Sequence, residues 1–414
     1  MSTTTAPTEQ ESVGSARTSL SRVGGHTDTS ASPLRRPRLD WPLLAATIGL
    51  GICSLIAVAG ATQDDIAGQP NYYLIRQSIN LTIGLGLMLL IACLEYDQLR
   101  HARWWIYGFL LLSNLAVLGI GSNTRGSQRW IDLPGFQFQP SELGKLLLIA
   151  VLAGFIVERP RTLRDSQTTV RVIALALLPS GLVLLQPDLG TAIVYVVIAL
   201  AILFVAGASW KQFAAITAIG AAVLSIVLVA LPAVGVQTLA PYQEKRLTAF
   251  LSPSRNPANE GYQQEQSRIA IGAGGKTGRG SRATQTKLNF LPEHHTDFVF
   301  AVIGETYGFA GAALVLSLFA LLIWRGLRIL VLARDLFGAL LAGGVVAIVM
   351  WQMFINVGMT MGITPITGVP LPLVSYGGSQ VLVTLMGVGL LQAVHGRARE
   401  ARPRRSSKGA VTTP

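Results

Sequence analysis

Four polar side chains of the types used for proton transfer and cation binding stand directly before a long charge-free run. They are Glu293, His294, His295 and Asp297, and the run begins at Phe298. A carboxylate at the edge of an apolar run can serve as a general base or hold a hard cation. Adjacent histidines cannot place both rings on one helix face, and the spacing is not that of a zinc protease, which disfavours a zinc site. The pattern therefore indicates Asp297 as a general base or a cation ligand.

A second ionisable group, Glu142 with Lys145, stands at the start of another apolar run. The i, i+3 spacing puts both side chains on one face of a helix, where they can pair. Ionisable residues that enter a bilayer are costly and are usually functional. A structural ion pair that fixes helix packing explains the same spacing, so a catalytic and a structural role both stay open.

A glycine-rich stretch, residues 272–280, lies among several cations. These cations are Arg268, Lys276, Arg279, Arg282 and Lys287. Backbone amides freed by glycine, together with nearby positive charge, suit a phosphate group. A flexible, solvated loop is the more frequent explanation of such a stretch. The sequence alone leaves both explanations open.

Two further segments combine polar side chains with breaks in the apolar pattern. Residues 362–380 carry prolines and glycines that rule out a regular helix. Irregular backbone at membrane depth must be buried in protein or line a cavity. Ser375 in this segment can bond substrate or cap the next helix, and Asp188, between two apolar runs, is expected to cap the helix that follows it.

The elements that must position these residues follow from composition. The chain has 414 residues, is 50% hydrophobic and only 13% charged, and has a mean hydropathy of +0.49. Its apolar residues form long charge-free runs that can each cross a hydrocarbon layer of ~30 Å. The net charge of +12 then reflects basic residues in cytoplasmic loops and not binding to nucleic acid. Cys53 and Cys93 lie inside apolar runs and have the spacing of neither a metal site nor a disulfide framework.

We therefore expect an all-α, polytopic integral membrane protein with about ten transmembrane helices. The predicted spans are residues 41–61, 72–94, 104–121, 141–157, 170–185, 189–207, 212–234, 298–323, 336–359 and 378–395. An even number of spans places both termini on one side of the membrane.

Cation counts predict that both termini are cytoplasmic, because the short loops on the opposite side contain few Lys or Arg residues. Residues 1–40 are expected to form a disordered cytoplasmic tail and residues 396–414 a basic cytoplasmic tail, on either side of a transmembrane domain at 41–395. Residues 235–297 then form a large extracytoplasmic loop. Its mixture of aromatic, glycine, proline and charged residues is typical of functional or disordered loops.

The same segments, in this order and spacing, resemble the SEDS family of peptidoglycan polymerases (shape, elongation, division and sporulation proteins). The resemblance covers residues 41–395, and it is nearer to the elongation branch, RodA, than to the division branch, FtsW. It is carried by Arg129-Trp130-Ile131, Pro140-Ser141-Glu142 with Lys145, Gln186-Pro187-Asp188, residues 290–293 with His295-Thr296-Asp297-Phe298, and Pro372 with residues 375–379.

The resemblance implies a glycosyltransferase of the bacterial cytoplasmic membrane that polymerises lipid II into glycan strands during cell-wall elongation and shape maintenance. It implies Asp297 as the essential acidic residue, a divalent cation (Mg²⁺ or Mn²⁺) as cofactor, and a class B penicillin-binding protein as partner. Glu142 and Lys145 are the further catalytic candidates. The expected substrate-binding residues are Arg129, Trp130, Arg246, Gln266, Lys276, His295 and Ser375.

Three other functions are compatible with the same residues. A flippase for lipid II needs a similar number of spans, an ionisable pair and a lipid groove, but no base at the outer face. An ion-coupled transporter predicts charges at the bilayer midplane and related halves, and the sequence has no clear internal repeat. A scaffold for cell-wall enzymes requires that Asp297 be dispensable.

Overall fold

The computed structural model describes most of the chain apart from its two ends and part of one long loop. The described residues are 38–62, 69–124, 127–133, 136–159, 165–227, 231–233, 260–287, 290–291 and 293–400. Most of the two predicted tails, much of the predicted loop at 235–297, and Arg246 lie outside the described residues. The transmembrane domain predicted at 41–395 is largely within them.

Ten apolar helices coincide with the ten predicted spans. They are α1 (Trp41–Ala61), α2 (Tyr72–Cys93), α4 (Arg103–Ile120), α5 (Pro140–Val157), α6 (Ser166–Leu185), α7 (Leu189–Val205), α8 (Trp210–Ser225), α12 (Val299–Leu332), α13 (Leu336–Met361) and α14 (Gly378–Glu400). Eight of these helices are at least 18 residues long and apolar enough to cross a membrane, whereas α7 has 17 residues and α8 has 16. The chain is therefore a multi-pass, helical membrane protein, as predicted.

Several short elements complete the described part of the chain. They are α3 (Asp97–His101), α9 (Leu231–Ala233), α10 (Glu260–Gly274), a 3₁₀ turn (Gly280–Arg282), α11 (Thr284–Lys287), and the strands β1 (Ser122–Thr124), β2 (Ser127–Leu133) and β3 (Phe136–Phe138). The strands form one antiparallel sheet in the order β1-β2-β3, which the sequence analysis did not predict. Strand β3 lies over the start of α14, because a Cβ at Gly378 would come within 2.7 Å of the Phe136 ring.

Aspartate side chains cap the N-termini of four of the helices. Asp40, Asp165, Asp188 and Asp335 accept hydrogen bonds from backbone N–H groups in the first turns of α1, α6, α7 and α13 respectively. Each cap satisfies a donor that has no partner within its own helix. The local sequence thus sets where these helices start, and the expected capping role of Asp188 is confirmed.

Ion pairs and hydrogen bonds join helix ends at one end of the helical domain, which we call the basic end. Asp40 accepts two hydrogen bonds from Arg325, and Asp335 accepts one of 2.8 Å from the Tyr96 hydroxyl. Burial acts to raise the pKa of Asp40, but the hydrogen bonds from Arg325 and from the Leu43 N–H outweigh it, and the pKa lies below its ordinary value. These contacts join the start of α1 to α12, and the start of α13 to Tyr96 between α2 and α3.

Helix α5 is the most enclosed of the long helices, followed by α13 and α14, whereas α8 buries none of its residues. A helix that is apolar all round packs in the interior of a membrane protein. The predicted ion pair Glu142 and Lys145 lies on α5. Its two charges are therefore carried by a central helix.

Candidate functional site

The motif segments of the sequence meet at the end of the domain opposite the basic end. Helices α5, α7, α12 and α14 begin there, and α4, α6 and α13 end there. The sheet β1-β2-β3 joins the end of α4 to the start of α5 at this end. We call it the motif end.

Glu142 and Lys145 form the predicted ion pair in the first turns of α5. The Lys145 Nζ donates to Glu142 Oε1 at 2.6 Å, and Lys145 and Glu142 are only 2% and 5% exposed respectively. Two charges taken out of water are stable only when they are well paired. Beside them the Tyr195 hydroxyl of α7 donates to the Ser141 carbonyl at 3.0 Å. The pairing is thus confirmed, and its catalytic role is a separate proposal.

Arg129, on β2, contacts the link between α6 and α7. Its guanidinium donates to the carbonyl oxygens of Gln186 and Pro187, and Nη1 lies 3.9 Å from Asp188 Oδ1. Asp188 also accepts a 3.1 Å hydrogen bond from Gln139 Nε2. Asp188 is therefore both a helix cap and the acidic partner of the motif arginine.

Ser379 connects the sheet to the start of α14. Its hydroxyl accepts from the Gln139 N–H at 3.0 Å and donates to the Gln137 carbonyl at 2.9 Å. Gln380 beside it donates to the Pro370 carbonyl at 2.9 Å. The segment before α5 and the irregular segment before α14 are therefore held together.

Asn356, near the end of α13, connects that irregular segment to the turn that carries Asp297. Its Nδ2 donates to the carbonyl oxygens of Asp297 and Val369, both at 2.9 Å, and the residue is 0% exposed. The sequence analysis did not single out Asn356. The available signal was a pair of amide side chains, Gln352 and Asn356, in an otherwise apolar run, because such residues must find partners inside the protein.

Asp297 lies at the start of α12, as the sequence predicted, in a tight turn over residues 293–298. The N–H groups of Thr296, Asp297 and Phe298 all lie 3.1–3.2 Å from the Glu293 carbonyl oxygen. The side chain of Asp297 is partly exposed. A carboxylate fixed by its backbone but open to solvent can reach a ligand.

The two adjacent histidines have different surroundings. The His294 ring is buried, with Nδ1 3.0 Å from the Leu291 carbonyl and Nε2 3.1 Å from the Ala61 carbonyl. The His295 ring packs at centroid distances of 4.8 Å from Tyr73 and 5.8 Å from Tyr376. In the described part of the chain, no three His, Cys, Asp or Glu side chains are grouped as metal ligands. Among the described residues, a divalent cation at this end would have fewer than three such side chains to hold it.

One part of the glycine-rich stretch packs on α12, whereas residues 275–277 and 279–280 are exposed. The Gly278 N–H donates to the Gly274 carbonyl at 2.8 Å, and the Arg279 N–H donates to the Glu305 carbonyl at 2.9 Å. A Cβ at Gly278 would overlap the carbonyl oxygen of Thr306. The glycines therefore allow close packing on α12, and these two amides are already bonded.

The remaining predicted substrate contacts differ in accessibility. Ser375 is 0% exposed, and its hydroxyl accepts a 2.8 Å hydrogen bond from the Leu371 N–H. Ser375 thus stabilises its own turn; it neither caps α14, which begins at Gly378, nor presents its hydroxyl to a substrate in this structure. The other described candidates are exposed or partly exposed: Arg129, Trp130, Gln266, Lys276 and His295.

Comparisons with known proteins agree with the motifs. The sequence profile of the FtsW/RodA/SpoVE family, described as "Cell cycle protein", matches residues 37–400. The peptidoglycan glycosyltransferase MrdB of Escherichia coli (strain K12), a RodA protein, is 36% identical over 360 residues, which are 86% of this chain and 93% of the relative. The probable peptidoglycan glycosyltransferase FtsW of Thioalkalivibrio sulfidiphilus (strain HL-EbGR7) is 39% identical over 384 residues, which are 89% of this chain and 92% of the relative.

A solved structure also matches closely. It is described as "Structural coordination of polymerization and crosslinking by a peptidoglycan synthase complex", and it superimposes with a TM-score of 0.73 at 32% identity. The match covers 87% of this chain and 98% of that chain. Because the family profile spans the described domain and the relatives exceed 30% identity along most of their length, this chain belongs to the SEDS family, the family of FtsW, RodA and SpoVE.

Proposed function

We propose that the chain is a peptidoglycan glycosyltransferase that polymerises lipid II on the outer side of the cytoplasmic membrane during cell-wall elongation. One observation carries this proposal. A partly exposed carboxylate, Asp297, starts a membrane helix at the same end of the domain as a buried ion pair and the motif arginine. The relatives named as peptidoglycan glycosyltransferases support the same activity.

Asp297 acts as the general base. The acceptor is a sugar hydroxyl, a weak nucleophile whose proton must leave as the new bond forms. The hydroxyl oxygen attacks the anomeric carbon of the donor, the proton passes to the Asp297 carboxylate, and the bond from the anomeric carbon to the diphosphate oxygen breaks. One displacement of this kind inverts the anomeric centre and releases undecaprenyl diphosphate.

Positive charge at the motif end stabilises the departing diphosphate. Arg129 is partly exposed there, and its guanidinium is held in place by the link between α6 and α7. Lys145 contributes through the buried pair with Glu142. The outer parts of the substrate are contacted by Trp130, Gln266, Lys276 and His295. Asp297 would hold a divalent cation, Mg²⁺ or Mn²⁺, since Mg²⁺ prefers few protein carboxylates and substrate phosphates. When bound, it would supply further charge neutralisation.

The motif end faces the outside and the basic end faces the cytoplasm. The placement of arginines near the basic end, Arg100, Arg103, Arg325 and Arg328 among them, supports this orientation. A class B penicillin-binding protein is the proposed partner, which the solved complex that couples polymerization and crosslinking supports.

Replacement of Asp297 by Asn tests the base. The purified Asp297→Asn variant, with its penicillin-binding partner and lipid II in detergent, is expected to lose about 10²–10⁴-fold in polymerisation rate, the usual contribution of a general base. Glycan chains are measured by gel electrophoresis of labelled product. Detergent removes the two sides of the membrane, so a flippase gives no polymer at all in this assay.

The matched control is Asp132→Asn. Asp132 is an exposed acid on β2 at the same end of the domain, and it accepts a 3.1 Å hydrogen bond from Gln137. This variant should polymerise like the wild type. Near wild-type activity of Asp297→Asn would rule out Asp297 as the general base.

A further inference from the structure

Helix α12 is broken at Gly308. Residues 275–279, which precede the helix, form hydrogen bonds with the backbone groups on either side of the break. Gly308 has φ 65° and ψ −159°, a conformation that residues other than glycine avoid. In a continuous helix the N–H groups of Phe309 and Ala310 would donate to the carbonyls four residues earlier. They donate instead to the Gly275 carbonyl at 2.9 Å and the Lys276 carbonyl at 3.2 Å. Two backbone acceptors that α12 itself does not provide are thus supplied by the segment before it.

The same segment also binds a backbone carbonyl on the N-terminal side of the break. The Glu305 carbonyl, which has lost its partner inside the helix, accepts from the Arg279 N–H at 2.9 Å. The chains approach so closely that a Cβ at Gly274 would overlap the Gly304 carbonyl. Residues 299–307, which we call the upper α12, are therefore bound to residues 274–287 and are separated from the rest of α12 by the break at Gly308.

The carboxylate of Glu305 makes the strongest polar contacts of this junction. It is 0% exposed, and it accepts hydrogen bonds from the N–H groups of Gln285 and Thr286, both at 2.9 Å, and from the Thr286 hydroxyl at 2.7 Å. A buried carboxylate is stable only when its oxygens are satisfied by such donors. Glu305 thus caps α11 from outside that helix and fixes it on the upper α12.

We propose that Glu305 is a positioning residue for Asp297, an inference that rests on the proposed function of Asp297. Asp297 stands at the start of the upper α12 and Glu305 near its end, separated by eight residues, or about 12 Å of helix. Because Gly308 uncouples this short helix from the membrane span, the span does not set its direction. Its direction is set by Asn356 at the Asp297 turn and by Glu305 at the other end.

The variant Glu305→Gln tests this proposal. A glutamine keeps the size of the side chain, but it has one oxygen and an NH₂ group that would face donors. We expect kcat for lipid II polymerisation to fall about 10–100-fold, the effect of a small misplacement of a reacting group, while KM stays within about twofold. Thr286→Val, which removes the hydroxyl donor and keeps both N–H bonds, should lower kcat in the same direction by a smaller factor.

The matched control is Asp335→Asn at the basic end. Asp335 also caps a helix and accepts from a second element, through the Gly338 N–H at 2.6 Å and the Tyr96 hydroxyl at 2.8 Å. This control should lower the melting temperature without changing kcat. Unchanged kcat in a folded Glu305→Gln protein, or an equal loss of kcat in Asp335→Asn, overturns the proposal.

Failure of this inference and failure of the proposed function give different results in these variants. If Asp297→Asn retains activity, the base assignment fails and Glu305 has no base to position. If Asp297→Asn is inactive and both Glu305→Gln and Thr286→Val behave as wild type, only the positioning role fails. Where Glu305→Gln does not fold, the kcat of Thr286→Val decides alone.

Discussion

Individual hydrogen bonds from buried polar side chains connect the loops of the motif end. Gln77 donates to the Ser54 hydroxyl and the Ser375 carbonyl, and Asn356 joins Asp297 to Val369. A polar group enclosed by apolar helices is stable only when it is bonded, so each such contact fixes one irregular segment in place. The site is therefore held by side chains that need not touch the substrate.

Charge reversal separates the two roles that the sequence left open for Glu142 and Lys145. Glu142→Gln and Lys145→Met should each destabilise the protein by about 3–5 kcal/mol, because one buried charge loses its partner, and each should lose polymerase activity. The double variant Glu142→Lys, Lys145→Glu should recover much of the stability but not the activity, since the positive charge has moved by one turn. Thermal unfolding and polymerisation are measured on the same preparations.

Activity in the reversed pair, or full activity in both single variants, would make this pair purely structural. The comparison with each single variant also controls for loss of folding, because only the double variant restores pairing.

At the scale of elements, the sequence predicted what depends on local pattern. Charge-free runs gave the ten spans, and Asp188 was recognised as a cap because capping depends on neighbouring residues. The packing of the glycine-rich stretch on the upper α12 was not predicted, because the two segments are distant in the sequence though close in the structure. The small sheet was missed since its strands have only three to seven residues.

Close packing between α5 and α7 depends on one glycine. A Cβ at Gly144 would overlap the Tyr195 hydroxyl and come within 2.8 Å of Leu110. Gly144→Ala should therefore destabilise the protein by about 1–3 kcal/mol through overpacking, measured as a lower melting temperature in detergent. It should also weaken activity, because the displaced helix carries the ion pair.

Gly181→Ala is the control for this prediction. Gly181 lies on α6, and a Cβ added there would meet no neighbouring atom within 4 Å, so alanine should be neutral or slightly stabilising through helix propensity. Equal melting temperatures for the two variants would mean that α5 and α7 are not packed as described.

At the scale of the whole molecule, Asp40 joins helices far apart in the chain. Its carboxylate binds Arg325 on α12, and its backbone exchanges hydrogen bonds with Gln392 on α14. Asp40→Asn should destabilise the protein by about 1–3 kcal/mol, because the largely buried Arg325 loses its charged partner. Asp165→Asn, which alters the cap of α6 at an exposed bond to the Gln167 N–H, should cost less.

The sign of the pH dependence follows from the lowered pKa of Asp40. Its stabilising contribution is complete above the ordinary value of 3.8 and is lost only as the pH falls through the lower pKa of the folded state. The difference in melting temperature between wild type and Asp40→Asn should thus not shrink between about pH 8 and about pH 5. A difference that shrinks within this range would contradict the pairing with Arg325.

The hydrogen bonds between α12 and the segment before it also affect how this helix is inserted into the membrane. Phe309 and Ala310 lie within the candidate membrane span formed by α12, where a bilayer offers their N–H groups no acceptor. Their acceptors, Gly275 and Lys276, are synthesised earlier than the helix that needs them. Insertion of α12 is therefore complete only when this earlier segment folds back onto it, so the helix does not mature as an independent hydrophobic segment.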